Sequence, residues 1–247
     1  MDFDFINSFD NVGMTYISFI SKGYISRNKK IFSKIKLTRF TRFVLKSCVY
    51  GTPIFKFGST GKKLLVLSGI HGNELPPQLA CLQLLDEILE KDLNNTVYVI
   101  PFASPKSTMY NERTFNSRDL NRSSHIKNSL SNDIIQTILD LGIDSIGDFH
   151  STSYNSNPGF EAVFASKKPS PESYLIAEHI SRDVGSRLIT FDFAGSQYKG
   201  AVEDVSNLRG VPAVTCEVLS PFASVGKGSV ERSLMQMKSF LSYFGIR

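Results

Sequence analysis

After Gly51 the chain alternates short apolar runs with longer stretches of helical spacing. Apolar runs at 64–68, 96–100, 144–149, 160–165 and 211–218 predict strands. The first, Leu64-Leu65-Val66-Leu67-Ser68, is apolar throughout and bounded by Gly69, which marks an interior strand of a parallel-type sheet. Helical spacing predicts helices over 75–91, 131–141, 172–185 and 228–243. Ser131-Asn132-Asp133 supplies a cap ahead of Ile134 and Ile135, and Pro171-Glu172 opens the next helix. Leu234, Met235, Met237, Phe240 and Leu241 form the apolar stripe of a closing helix. The fold class is therefore α/β, a three-layer α/β/α core.

Two stretches break the alternation. Residues 101–122 are rich in Ser, Asn, Arg, Pro and Thr, and loops of such length in a domain are usually functional or disordered. Residues 1–50 carry Tyr16 to Ile20 and Phe40 to Val49 as strand or helix pieces. The expected division is an N-terminal basic extension over 1–50, packed on or near the core, and a catalytic domain over 51–247.

Charge sharpens that division. Residues 11–73 hold twelve Lys or Arg and no Asp or Glu, whereas elsewhere acids outnumber bases, so the net +5 arises in the N-terminal part. Basic tracts commonly serve solubility, and neither nucleic acid nor membrane is expected as a partner. Cys48, Cys81 and Cys216 are odd in number and lack metal-type spacing, so neither a disulfide framework nor a thiolate zinc site is suggested. Asp2, Asp4, Asn7 and Asp10 interrupt the start, and no apolar stretch approaches the roughly 20 residues that span a bilayer. A cytoplasmic protein without a signal peptide is expected.

Chemistry gathers at strand ends. His71 and Glu74, three apart in His71-Gly72-Asn73-Glu74, follow the 64–68 strand and can share one metal ion. A catalytic zinc takes three His or carboxylate ligands and keeps one position open. His150 ends another strand in Asp148-Phe149-His150 and supplies the third, giving one zinc per chain. Glu217 lies within the apolar run 211–218, where an idle carboxylate is costly to bury, and is the candidate general base. The arginines of 110–122 suit a carboxylate or an oxyanion, which implies a substrate with a carboxylate near its scissile bond. His125 and His179 follow no strand and are not expected as ligands. Ser68, Ser151 and Cys216 lack a neighbouring base for nucleophilic catalysis.

His71-Gly72-Asn73-Glu74, the loop from Arg113 to Asp119-Leu120-Asn121-Arg122, Asp148-Phe149-His150 and Glu217 together resemble the zinc carboxypeptidase superfamily, in its succinylglutamate desuccinylase/aspartoacylase branch. The resemblance runs from about residue 50 to the end. It implies a mixed, mostly parallel sheet of about eight strands flanked by helices. It also implies zinc on His71, Glu74 and His150, acid/base catalysis by Glu217, carbonyl polarisation by Arg113, and a substrate carboxylate gripped by Asn121 and Arg122. Tyr198, in the Gly-flanked segment 195–200, resembles the mobile active-site tyrosine of the carboxypeptidases.

Members of that branch carry a domain after the catalytic glutamate that roofs the pocket, whereas residues 218–247 read here as one closing helix. The N-terminal segment, a second copy in a homo-oligomer, or an open site accepting a peptide are the alternatives. The expected reaction is zinc-dependent hydrolysis of an amide in an N-acyl amino acid. Removal of a peptide's C-terminal residue is the alternative, and a non-catalytic module binding polyanions through the basic segment is a second one.

Overall fold

Alternate side chains of the central strands feed two separate cores. Leu64 and Val66 enter one, and Leu65 and Leu67 the other, the period of a strand covered on both faces. The structure, a computed structural model, describes residues 6–9 and 12–246; Asp2, Asp4 and Asp10, on which the expectation of no signal peptide partly rests, lie outside them.

The chain runs through β1 (Ile6–Phe9), β2 (Val12–Ser18), α1 (Lys29–Phe32), α2 (Arg39–Cys48), β3 (Thr52–Phe57), β4 (Lys63–Ser68), α3 (Leu75–Ile88), β5 (Thr96–Ile100), α4 (Pro105–Tyr110), α5 (Leu130–Leu141), β6 (Ser145–Thr152), β7 (Ala162–Lys168), α6 (Pro171–Val184), β8 (Arg187–Phe193), α7 (Val202–Leu208), β9 (Ala213–Leu219) and α8 (Ser229–Tyr243). One sheet takes the order β1-β2-β3-β5-β4-β6-β9-β7-β8. Its centre, β5-β4-β6-β9, is parallel, whereas β7 meets β9 and β3 meets β5 antiparallel. Residues of α2, α3, α6 and α8 cover one face and those of α5 and α7 the other. The mixed α/β/α architecture is thus as expected, with nine strands among the described residues.

The predicted strands and helices all form, with shifted ends. The cap of α5 is Ser129, whose hydroxyl accepts from the Asn132 amide, and not the Ser131 to Asp133 run. In α8 the stripe is rotated from its expected position: Met235 is 44% exposed, while Ser233, Gln236 and Ser239 are buried. Small polar residues let α8 pack closely, which hydropathy alone does not register. Four elements have no clear pattern. β3 contains Pro53, β8 is a half-exposed edge, α4 lies within the polar 101–122 stretch, and α7 buries Glu203, Asp204, Ser206 and Asn207.

In the N-terminal part, β2 pairs with β3, and Val12, Met14, Phe40, Val44 and Cys48 join the same core as α3. The Tyr16 to Ile20 run forms the end of β2 and then leaves Phe19 and Ile20 exposed. Among the described residues no helix is long and apolar enough to cross a membrane.

Candidate metal centre and active site

β4 ends at Ser68 and the chain turns sharply into α3, with Glu74 at the helix cap. Pro76 and Pro77 occupy the first turn, where an amide hydrogen has no helical partner. The turn is packed so closely on α4 that a Cβ at Gly72 would fall 2.1 Å from the Ser107 carbonyl carbon. Buried Gln78 fastens it, its Nε2 donating to the Glu74 carbonyl at 2.8 Å, while the Thr108 hydroxyl donates to Gln78 Oε1 at 2.7 Å. The 101–122 stretch is accordingly no loose loop: α4 and a 3-10 turn at Leu120–Arg122 make it the wall against which the His71 turn is set.

The other candidates come from neighbouring parallel strands. β4 lies beside β6 and β6 beside β9, with His150 directly paired to Glu217 in the ladder. Strand alternation places Asp148 and His150 on the face of Ile146, and Thr215 and Glu217 on the face of Ala213, both belonging to the α5 and α7 side.

The result is a converging donor set. Glu74 Oε1 lies 2.8 Å from His71 Nδ1, and Glu74 Oε2 lies 2.9 Å from His150 Nδ1 and accepts from the Ser151 amide at 3.2 Å. One ligand atom from each of His71, Glu74 and His150 lies within 4.8 Å of the others, and all three residues are buried. The outer nitrogens face carboxylates. His71 Nε2 is 2.9 Å from Asp119 Oδ1, and His150 Nε2 is 3.0 Å from Asp148 Oδ2, an ionic approach without hydrogen-bond alignment. Metal-binding histidines commonly have such backing on the nitrogen remote from the ion. Two imidazole nitrogens and a carboxylate turned to one point, each ring backed by an acid, fit a divalent cation of the zinc type.

The charges reinforce one another. Burial raises the Glu74 carboxyl, but His71 and His150 outweigh it and hold the group below the usual carboxylate range. Burial opposes the charged form of His150, yet Asp148 and Glu74 raise its pKa well above that of a free imidazole. Glu217 behaves in the opposite sense. Burial and the nearby Glu74 charge push it up to about 8 against the opposing pull of His150 and Arg113. Its Oε2 is buried without a hydrogen-bond partner, while the side chain borders a cavity of about 320 Å³.

That cavity contains the remaining candidates. Arg113 bridges two acids, Nη1 donating to Glu74 Oε1 at 3.1 Å and Nε to Asp119 Oδ2 at 3.2 Å. Arg122 donates to the Asn121 carbonyl and lies 5.2 Å from the centre of the Tyr198 ring. Asn121 Oδ1 accepts from the Val202 amide at 3.1 Å, which ties it to the start of α7. Tyr198 packs edge-on against Phe164 and Phe191, and its segment is pinned by Gly200, where a Cβ would meet the Arg122 carbonyl oxygen at 2.5 Å. Seven of the eight candidates line the cavity, and the eighth, His150, lies against Glu74.

No described residue before His71 lines the cavity, so the described part of the N-terminal segment is not its cover. His125 is exposed, and His179 is on α6, its Nε2 3.0 Å from the Ser242 hydroxyl. Sequence reasoning did not assign Asp119, Asp148, Gln78 or Glu203. The spacing of two between Asp148 and His150 in a strand is the one signal that could have found a partner.

A family model, the succinylglutamate desuccinylase/aspartoacylase catalytic domain, matches residues 60–218. No curated protein matches by sequence. Among solved structures, an aspartoacylase family protein from Mesorhizobium loti superposes with a TM-score of 0.62 at 17% identity, covering 79% of this chain and 62% of its own. A metallo-carboxypeptidase from Burkholderia cenocepacia gives 0.66 at 10% identity over 96% of this chain and 66% of its own. A succinylglutamate desuccinylase from Silicibacter gives 0.64 at 18% identity over 80% and 63%. The chain thus spans somewhat under two thirds of each of these proteins. With the family model matching well over half its length, the chain belongs to the succinylglutamate desuccinylase/aspartoacylase catalytic-domain family.

Proposed function

We propose that this protein is a zinc-dependent hydrolase that cleaves an amide bond next to a substrate carboxylate, in the manner of an N-acyl amino acid deacylase. The observation that carries the reading is the convergence of His71, Glu74 and His150 beside Glu217, on a cavity also lined by Arg113 and Arg122. An ion bound by His71 Nδ1, Glu74 and His150 Nδ1 would make a water acidic near neutral pH and polarise a carbonyl.

The chain's own groups supply the rest. Glu217 takes the proton of the attacking water and passes it to the leaving nitrogen, a role suited to a carboxyl raised towards neutrality. Arg113, held in place by Glu74 and Asp119, offers its guanidinium to the oxyanion. Arg122 and the amide of Asn121 hold the substrate carboxylate. The test is turnover of a panel of Nα-acetyl and Nα-succinyl amino acids and short peptides, with metal content measured on the same sample. Chelator-sensitive release of an amino acid from the acyl substrates is expected; peptide cleavage alone, or no turnover by metal-loaded protein, would overturn it.

A further inference from the structure

α7 carries two adjacent buried carboxyls, Glu203 and Asp204, that the hydrolytic reading leaves without a role. Glu203 lines the cavity together with Phe164, Tyr198, Ala201 and Thr215. No salt bridge to either acid is found among the described residues, and Asp204 Oδ2 is buried without a hydrogen-bond partner. Arg122 acts on Asp204 but makes no salt bridge with it. Burial of acids without a countercharge is expensive. Burial and the adjoining Asp204 accordingly raise the Glu203 carboxyl well above the glutamate range, and Asp204 is raised by its own burial.

We propose that Glu203 is the floor of a side-chain subsite and selects substrates whose amino acid, held by its carboxylate at Asn121 and Arg122, ends in an ammonium or guanidinium group. This rests on the reading of Asn121 and Arg122 as the carboxylate anchor. The placement follows from the Asn121 Oδ1 bond to the Val202 amide, which fixes the first turn of α7, and hence Glu203, beside that anchor. Phe164 and Tyr198, 5.6 Å apart edge to face, offer apolar walls to a methylene stem. A lysine or arginine side chain therefore meets aromatic sides and an acidic floor, and its cation supplies the charge that the two acids lack. A glutamate or aspartate side chain would add a third carboxyl there.

Glu203 Oε1 also accepts from Asn207 Nδ2 at 2.6 Å, and Asn207 in turn donates to the Ala213 carbonyl. Glu203→Gln keeps an acceptor for that bond and removes the ionisable group, which a bound cation would draw into its charged form. The experiment is calorimetric binding of L-arginine, L-lysine, L-norleucine and L-citrulline to the protein with its metal, for wild type and Glu203→Gln. Wild type is expected to bind arginine and lysine about tenfold or more tightly over norleucine and citrulline, the scale of a charge-assisted contact. In Glu203→Gln the ratio should fall to within about threefold, each 1.4 kcal/mol being tenfold. Equal binding, a preference for norleucine or citrulline, no binding of arginine, or a cation preference that survives Glu203→Gln would each overturn the proposal. Turnover of Nα-acetyl-L-arginine separates the two readings. Cation-selective binding without hydrolysis of any amide sinks the hydrolase and leaves the subsite, whereas hydrolysis without cation preference does the reverse.

Discussion

Glu217 on β9 is the ladder partner of His150 on β6, so the candidate base and a candidate metal ligand are set by one backbone pairing between parallel strands. Their separation is thereby fixed by the rigid centre of the sheet, whereas His71 and Glu74 depend on a turn held by Gln78. Rigid strands position reacting groups more tightly than loops do.

Metal content follows from the donor set. Wild-type protein should carry about one zinc per chain, and His71→Ala or His150→Ala should lose it. Elemental analysis checks this. Chelation should also lower the melting temperature of wild type, and added zinc restore it, because an ion bound only by the folded state stabilises it; a melting curve indifferent to chelator would argue against a resident ion.

Glu217→Gln should retain the metal and lose between about a hundredfold and ten-thousandfold in kcat, the range for a general acid/base. Steady-state kinetics with elemental analysis on the same preparation decides it. Activity near that of wild type would remove Glu217 from proton transfer.

Asp119 backs both His71 Nε2 and Arg113 Nε. Asp119→Asn weakens both contacts, and metal affinity should drop by about tenfold or more, as for other residues that orient a metal-binding histidine. Competition against a chelator of known affinity measures it. Burial raises the Asp119 carboxyl, but the bond to His71 and the charges of His71 and Arg113 outweigh it and keep it below the usual range, so it remains ionised at neutral pH.

Arg122→Ala should raise KM for Nα-acyl amino acids and have little effect on matching substrates whose carboxylate is replaced by a carboxamide. A loss of equal size for both would show that Arg122 acts through packing on Tyr198 and not through the carboxylate.

Stability should depend on pH through Glu203. Its carboxyl is raised in the folded protein, so its contribution is intact below the unfolded value of about 4.3 and declines as pH rises towards the folded one. Glu203→Gln removes that dependence. The melting temperature of the variant relative to wild type should therefore climb between pH 5 and pH 8, and a pH-independent difference would mean that Glu203 is not held protonated.

Much of this protein was legible before folding. The apolar run 64–68 ends just before His71, and His-x-x-Glu after a strand followed by an Asp-Phe-His strand end and a late glutamate within an apolar run carries chemistry in its order along the chain. Those signals survive because they are local: strand periodicity and a turn into a helix are decided by neighbouring residues. Only the tertiary structure decided that β6 lies between β4 and β9, that 101–122 is a structured wall with Asp119 behind His71, and that the N-terminal part adds strands at an edge remote from the cavity. It also decided that α7, a short helix rich in polar residues, is buried with Glu203 lining the cavity. Pairings between strands far apart in sequence, and the burial of polar side chains by groups from other elements, depend on contacts that periodicity along one segment cannot encode.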